Sequence, residues 1–421
     1  MKFYSIETIV SVAKAQSEYY AEVFKNIDPK DFKLCDLPLT DQDDYWKANA
    51  DDKQLGLTGK MNDGIVYKSG GTTGNPKFTV YAREEWRTMV EVFGQHQIFN
   101  KFRRGDRVAN LFYVGELYSS FLFLHESMKH CTEEVLEFPL AGFAPKEQIH
   151  KTLLGFNINT VLCVPTNILN FAEWLHENNL EVPKLERIYF GGETFYPDQR
   201  NYMQTVFPGV EIRSIGYASV DGGLLGFYSE DCGFNEHRQF DGHNSIEIID
   251  EDTGEIIDEV GREGKMYTTN YSRLLMPVVR YPIGDRGVWK EEKGTRNRKF
   301  EIRGRSDECA RFGVVSLYFE DIRLLLEEYS EKLKIASYQM QINHFDNLDQ
   351  LKIRIASESN IEDCKRFDSE IIGKLEKSRT MIKEEREQGG IHPVEIEWVY
   401  ADGISINPRT GKLKRIIDNR F

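Results

Sequence analysis

From about residue 60 to residue 215 the chain alternates short apolar runs of strand length with stretches whose apolar residues recur at helical spacing. That alternation allows little besides a largely parallel sheet with helices packed on it. Residues 64–69 (GIVYKS) and 78–81 read as strands separated by a glycine-rich turn, and residues 84–99 as a helix. Further strands are expected at 107–113, 160–164 and 188–190, the last ending at Gly191-Gly192. Beyond Ser214 the rhythm changes. Residues 245–249, 264–269 and 277–281 are short runs punctuated by Gly, Asp and Pro, the pattern of a small barrel or antiparallel sheet. The last stretch reads as a separate α+β unit: a helix over 318–333, strands over 335–342 and 351–356, a long helix over 361–387 and a strand over 394–399. The expected fold is therefore α/β. A large N-terminal domain of sheets flanked by helices, with a barrel-like part, spans 1–306, and a small C-terminal α+β domain spans 307–421. The boundary falls near Gly304–Asp307.

Composition narrows the classes of function. With 421 residues, 40% hydrophobic and 29% charged, the chain is an ordinary globular protein and bulk disorder is excluded. Its 54 basic against 68 acidic residues, a net charge of −14, argue against general binding to nucleic acid or to an anionic membrane. The six cysteines are scattered with no CxxC pair, which favours reduced thiols in the cytoplasm over a disulfide scaffold or zinc ribbon. Residues 1–20 carry amphipathic helix patterning rather than a signal peptide, and the apolar patch at 121–124 is far too short to cross a bilayer.

The segment most suggestive of chemistry is Ser69-Gly70-Gly71-Thr72-Thr73-Gly74-Asn75-Pro76-Lys77. Its glycines let backbone amides approach an anion, its hydroxyls add donors, and Lys77 adds a point charge. Such a loop suits a polyphosphate, yet its spacing is neither that of a P-loop nor GxGxxG.

This stretch resembles the phosphate-binding loop S-[ST]-G-T-T-G-x-P-K of the adenylate-forming superfamily, which includes acyl-CoA synthetases, peptide-synthetase adenylation domains and firefly luciferase. Gly70 replaces the usual second hydroxyl residue. Other segments resemble that family's motifs in the same order. Gly191-Gly192-Glu193 resembles the turn bordering adenine. Tyr217-Ala218-Ser219-Val220-Asp221 resembles Y-G-x-[ST]-E, in which the tyrosine flanks adenine and the acid holds magnesium. Spacing from Tyr217 makes Asp221 the acid. In the other register Ser219 matches and Val220 takes the acid position. The first register is preferred, because a phosphate-bound Mg²⁺ wants a carboxylate. Arg280-Tyr281-Pro282-Ile283-Gly284-Asp285 resembles R-Y-x-[TS]-x-D, which implies that Asp285 accepts from the ribose hydroxyls. Gly304-Arg305-Ser306-Asp307 resembles the G-R-x-D hinge, with Arg305 near ribose or phosphate and Asp307 as pivot. Residues 407–415 resemble the catalytic-lysine segment, one residue short between Pro408 and Gly411. Lys412 is then the catalytic lysine and Lys414 a second candidate.

The short length, the run Pro277–Tyr281 and the C-terminal segment make the chain similar to the phenylacetate-CoA ligase-like branch. The resemblance implies ATP and Mg²⁺ as cofactors and formation of an acyl-adenylate from a small carboxylic acid, aryl or similar. The acyl group then passes to a thiol, that of CoA, and the mobile C-terminal domain rotates about Asp307 between the two steps. An acceptor other than CoA (a carrier-protein thiol, an amine or another small nucleophile) is the alternative, as is a silent nucleotide- or acyl-binding protein. A homodimer is compatible with the sequence. Cys232 and His237, five residues apart, are two ligands short of a tetrahedral zinc site. Tyr113, Tyr118, Phe121 and Phe123 read as plain core or as the lining of an aryl pocket.

Overall fold

The computed structural model describes residues 1–50, 54–68, 77–95, 102–115, 117–195, 197–251, 253–305, 309–357, 359–400, 403–405 and 414–420. It divides into two compact units, one of Met1–Phe195 with Arg200–Arg303 and the other of Tyr196–Gln199 with Gly304–Phe421.

The earliest strands of the first unit, β1 (Ile65–Lys68) and β2 (Phe78–Tyr81), lie on either side of the glycine-rich segment in sequence and pair antiparallel. The expected alternation takes shape next, in β3 (Arg107–Asn110), β4 (Leu136–Pro139), β5 (Thr160–Cys163), β6 (Arg187–Phe190) and β7 (Glu211–Ser214). These form a fully parallel sheet in the order β4-β3-β5-β6-β7.

Strand periodicity sorts its side chains onto two faces. Val108, Leu162 and Tyr189 pack with Val92, Phe93, Leu124 and Met128, from helices Arg83–Gln95 and Ser120–Met128. Their neighbours Ala109, Val161, Cys163, Ile188 and Phe190 pack on the opposite face. There they meet Ile149, Leu153, Ile168, Phe171 and Met203, from helices Lys146–Gly155, Pro165–Glu177 and Pro197–Val206. Strands β5 and β6 are buried along their whole length, which explains the apolar runs Val161–Cys163 and Ile188–Phe190 within them.

The remaining strands of this unit are β8 (Tyr217–Ser219), β9 (Gly223–Phe227), β10 (Glu236–Gln239), β11 (Asn244–Ile249), β12 (Glu263–Asn270), β13 (Tyr281–Trp289) and β14 (Lys299–Arg305). They form a seven-stranded sheet in the order β11-β12-β13-β14-β10-β9-β8, the form taken by the expected barrel-like part. Residues 277–280, expected as a strand, are not one. The strand starts at Tyr281, directly after Arg280, whose φ of 42° interrupts extended backbone.

Residues 277–280 are held instead by the N-terminal segment. Its helices Ile6–Gln16 and Glu18–Val23 are capped by Ser5 and Ser17. Tyr20 and, from helix Gln42–Ala48, Tyr45 both donate to the carbonyl of Pro277 (2.8 and 3.2 Å), and Thr40 donates to that of Val279 (2.7 Å).

The second unit opens with a hairpin, β15 (Cys309–Phe312) and β16 (Val315–Tyr318), which hydrophobic periodicity did not suggest. Strands β17 (Ile335–Phe345), β18 (Leu348–Ser357), β19 (Glu395–Val399) and β20 (Ile416–Asp418) form a sheet ordered β19-β18-β17-β20. The single helix expected over 361–387 is broken into Ile361–Cys364, a 3₁₀ turn, Asp368–Ser378 and Thr380–Glu387. The last break lies at Arg379, whose φ of −130° and ψ of 76° are not helical. Its guanidinium pairs there with Asp321 (2.5 Å). Among the described residues no helix is long and apolar enough to cross a membrane.

Candidate active site

Two candidate segments of the first unit, Gly191–Glu193 and the one entering Tyr217, follow the carboxyl ends of parallel strands β6 and β7, where open α/β sheets place their ligands. Gly191 follows β6, and a Cβ there would come within 2.6 Å of the side chain of Ile215, the residue after β7, which packs over this glycine. Gly192 has a φ of 83°, which turns the chain sharply into half-buried Glu193. Burial and the neighbouring Glu193 push the thiol of Cys163, at the end of β5, above its ordinary value.

After Ile215 the chain enters Tyr217, whose hydroxyl donates to Oδ2 of buried Asp285 on β13. The expected adenine-flanking ring and the expected ribose acid are thus in direct contact. His237 lies behind them with its ring centroid 5.8 Å from that of Tyr217, and its Nε2 is paired with Ser214 Oγ at 3.1 Å. Burial depresses its pKa from 6.5 to about 4. Cys232 meets Ser229 instead, and among the described residues no group of three or more His, Cys, Asp and Glu side chains could hold a metal ion.

The turn from β8 to β9 carries Ser219 and Asp221. Ser219 Oγ accepts from the amide of Gly222 (2.9 Å), so this hydroxyl closes the turn. Half-buried Asp221 accepts from the same amide at Oδ1 (3.1 Å) and from the Tyr281 hydroxyl at Oδ2 (2.7 Å). Tyr281 in turn accepts from Trp46 Nε1 and Gln42 Nε2, both at 2.9 Å. Lys77 lies over the ring of Trp46 with its Nζ 5.7 Å from the centroid. The end of the glycine-rich segment and the acidic turn therefore share an aromatic support, Trp46 and Tyr281. The side chain of Arg280 points elsewhere, to Glu247 in a buried ion pair (2.9 Å) and to the carbonyl of Leu37.

Sequence reasoning missed Arg273. Its guanidinium is 1% exposed and donates to the carbonyls of Asp221 (2.6 Å) and Val80 (2.8 Å), while it lies 4.1 Å from the centroid of the Tyr81 ring. A lone arginine in an irregular segment gives no periodic signal.

Arg305 ends β14, the strand along which the chain passes from the first unit into the second. Buried Gln339 on β17 donates through Nε2 to the carbonyls of Ser405 (3.3 Å) and Lys414 (2.6 Å), and Lys414 N donates to Ser405 O (3.1 Å). The two flanks of residues 406–413 are thereby joined. Ser69, Gly71, Thr72, Thr73, Gly74, Asp307 and Lys412 lie outside the described residues.

No family model matches the chain. It is 24% identical over 345 residues to a phenylacetate-coenzyme A ligase of Thermus thermophilus, covering 78% of this chain and 74% of that protein. It is 26% identical over 277 residues to an indoleacetate–lysine synthetase of Pseudomonas savastanoi, spanning 63% of this chain and 64% of that one. Among solved structures, a 2-hydroxyisobutyryl-CoA ligase in complex with 2-HIB-AMP and CoA shares the fold over 98% of this chain and 87% of its own, at a TM-score of 0.71 and 18% identity. The amide bond synthetase McbA of Marinactinospora thermotolerans covers 86% of this chain and 68% of its own, at a TM-score of 0.51 and 14% identity. The similarity to the phenylacetate-coenzyme A ligase and the indoleacetate–lysine synthetase supports the resemblance to the adenylate-forming superfamily in its phenylacetate-CoA ligase-like branch, and the fold is the one shared with the 2-hydroxyisobutyryl-CoA ligase.

Proposed function

We propose that the protein is an AMP-forming acid–thiol ligase that activates a small, aryl or similar carboxylic acid with ATP and passes the acyl group to CoA. The observation that carries this reading is the contact of Tyr217 with Asp285 at the carboxyl edge of the sheet, a ring beside a buried carboxylate acceptor. Adenosine offers that pair a base to stack and two hydroxyls to donate.

In the first step a carboxylate oxygen attacks the α-phosphorus. The new O–P bond forms, the α–β phosphoanhydride bond breaks, and pyrophosphate leaves. In the second the thiol attacks the acyl carbon, the C–S bond forms, the C–O bond to phosphate breaks, and AMP leaves as the thiol proton passes to solvent. Residues 1–306 hold the substrates in this scheme. Ser69, Gly71, Thr72, Thr73, Gly74 and Lys77 cradle the phosphates, Gly191, Gly192 and Glu193 border adenine, and Ser219 shapes the turn beside it. Residues 307–421 are a lid that pivots at Asp307. It brings Lys412 to the first step, with Arg305 near ribose or phosphate. Two anions must meet in that step, and fixed positive charge offsets the developing repulsion. The half-buried carboxylate of Asp221, an oxygen donor, fits a hard divalent cation and would hold magnesium. Bound there, magnesium supplies charge neutralisation at the polyphosphate.

Exposed Tyr113, Tyr118 and Phe143 favour an apolar, aryl acid. Tyr113 and Tyr118 follow the carboxyl end of β3 and Phe143 that of its neighbour β4, and Lys68 N donates to Leu117 O (3.0 Å), which ties the turn of the two tyrosines to the strand leading into the glycine-rich segment. Six free cysteines suit the cytoplasm. Transfer to an amine is the second reading, favoured by the similarity to the indoleacetate–lysine synthetase. A panel of carboxylic acids scored for pyrophosphate release, with CoA or lysine as acceptor, tests both readings. The expected nucleotide product is AMP, and stoichiometric ADP would overturn the assignment.

A further inference from the structure

Three consecutive backbone carbonyls of the acidic turn are each held by a side chain from another element. Tyr81, on β2, donates its hydroxyl to Val220 O (2.7 Å). Arg273 donates to Asp221 O (2.6 Å) and Asn270, at the end of β12, donates Nδ2 to Gly222 O (2.9 Å). All three side chains are buried, at 2%, 1% and 4% exposure. The fit is close. Gly223 has a φ of 81°, and a Cβ there would come within 2.5 Å of Asn270 Nδ2.

A turn needs no such support merely to reverse the chain, and the arrangement is costly. Both terminal nitrogens of Arg273 go to main-chain oxygens rather than to a carboxylate, and its Nε has no hydrogen-bond partner among the described residues. A buried guanidinium held that way is poor economy for stability alone. The turn it immobilises presents the one carboxylate, Asp221, that Tyr281 also orients. Because Arg273 also holds Val80 O, it sets that carboxylate relative to the strand that follows the glycine-rich segment.

We infer that Tyr81, Arg273 and Asn270 are positioning residues for Asp221, fixing its carboxylate to receive a divalent cation bound to nucleotide. The inference rests on the reading of Asp221 given above. Loss of an outer-shell group that aims a ligand costs roughly 10- to 100-fold in metal affinity or activity.

The test measures binding, not turnover. Affinity for Mn²⁺·ATP is read by calorimetry and by the electron paramagnetic resonance of free Mn²⁺. Affinity for ATP in EDTA and the melting temperature are read alongside. Tyr81→Phe and Arg273→Lys should each weaken Mn²⁺·ATP binding roughly tenfold while affinity for metal-free ATP stays unchanged. Added to Asp221→Asn, Tyr81→Phe should cause no further loss. Tyr81→Phe removes a single oxygen, so it keeps the test open if substitution of Arg273 prevents folding. A fall in melting temperature with metal affinity intact would make the three residues purely structural and overturn the inference, as would equal loss of metal-bound and metal-free ATP. If Asp221→Asn itself leaves Mn²⁺·ATP affinity unchanged, the reading of Asp221 fails first and the inference falls with it.

Discussion

Replacing Asp285 by Asn keeps the volume of a buried side chain and changes one atom. The carboxylate has two acceptor oxygens, and Oδ2 already takes the hydroxyl of Tyr217. An amide that continues to accept from Tyr217 must turn its NH₂ toward the place assigned to ribose, where a donor would meet donors. The loss is then one hydrogen bond to a charged group, about 1.5–3 kcal/mol. ATP affinity should fall about 10- to 150-fold. Calorimetry with ATP, 2′-deoxy-ATP and 3′-deoxy-ATP separates a ribose contact from a general disturbance. The wild-type protein should discriminate against the deoxy analogues, and the Asn variant should largely lose that discrimination. Unchanged ATP affinity with an unaltered melting curve, or undiminished discrimination in the variant, would refute the reasoning and leave Asp285 as a support for Tyr217.

Lys412→Ala should slow pyrophosphate exchange by roughly a hundredfold or more, the scale of one preorganised electrostatic contact, and spare consumption of synthetic acyl-AMP by thiol. An effect of Lys414→Ala instead would move the catalytic lysine by two residues. Gln339→Ala strands the groups it pairs at Ser405 and Lys414. It should lower the stability of the C-terminal unit by about 1–3 kcal/mol, read by thermal and urea melts. The pKa of His237 is 6.5 ordinarily and about 4 in the fold, so the unfolded chain binds the extra proton between those values. Stability should therefore be full above the upper value and decline toward the lower one, by roughly 3 kcal/mol. His237→Asn should flatten that decline in urea titrations, and an unchanged slope would show that other groups cause it.

Legibility in the sequence followed the range of the interaction. Strands β3, β5 and β6 of the parallel sheet could be read because burial writes apolar runs such as Val161–Cys163 and Ile188–Phe190 into the chain itself, whereas the less buried edge strands β4 and β7 left no such run. Tyr217, Asp221 and Asp285 could be named by resemblance, but not their contacts, since Tyr217 meets an acid 68 residues away. The supports of the acidic turn were invisible, because Tyr81, Arg273 and Asn270 lie 139, 52 and 48 residues from the carbonyls they hold. The break at Arg379 was missed because its cause is a partner on another element, Asp321, and not a proline or glycine. The hairpin at 309–318 was missed for a different reason. Its strands are four residues each, too short to display a period.

The N-terminal helices bear on how the molecule is made. Tyr20 finds its partner, the carbonyl of Pro277, 257 residues later, and Thr40 waits 239 residues for Val279. At ordinary translation rates of 5–20 residues per second, that interval is roughly 10–50 s. Through it Ile9, Val10, Tyr20, Phe24 and Tyr45, all buried in one cluster with Met276, Val278 and Val279, have nothing from that later segment to cover them. The nascent chain thus carries an aromatic-rich, unsealed surface past the ribosome exit for most of its synthesis. Its yield in a cell should depend on chaperones that shield such surfaces far more than on the stability of the finished fold.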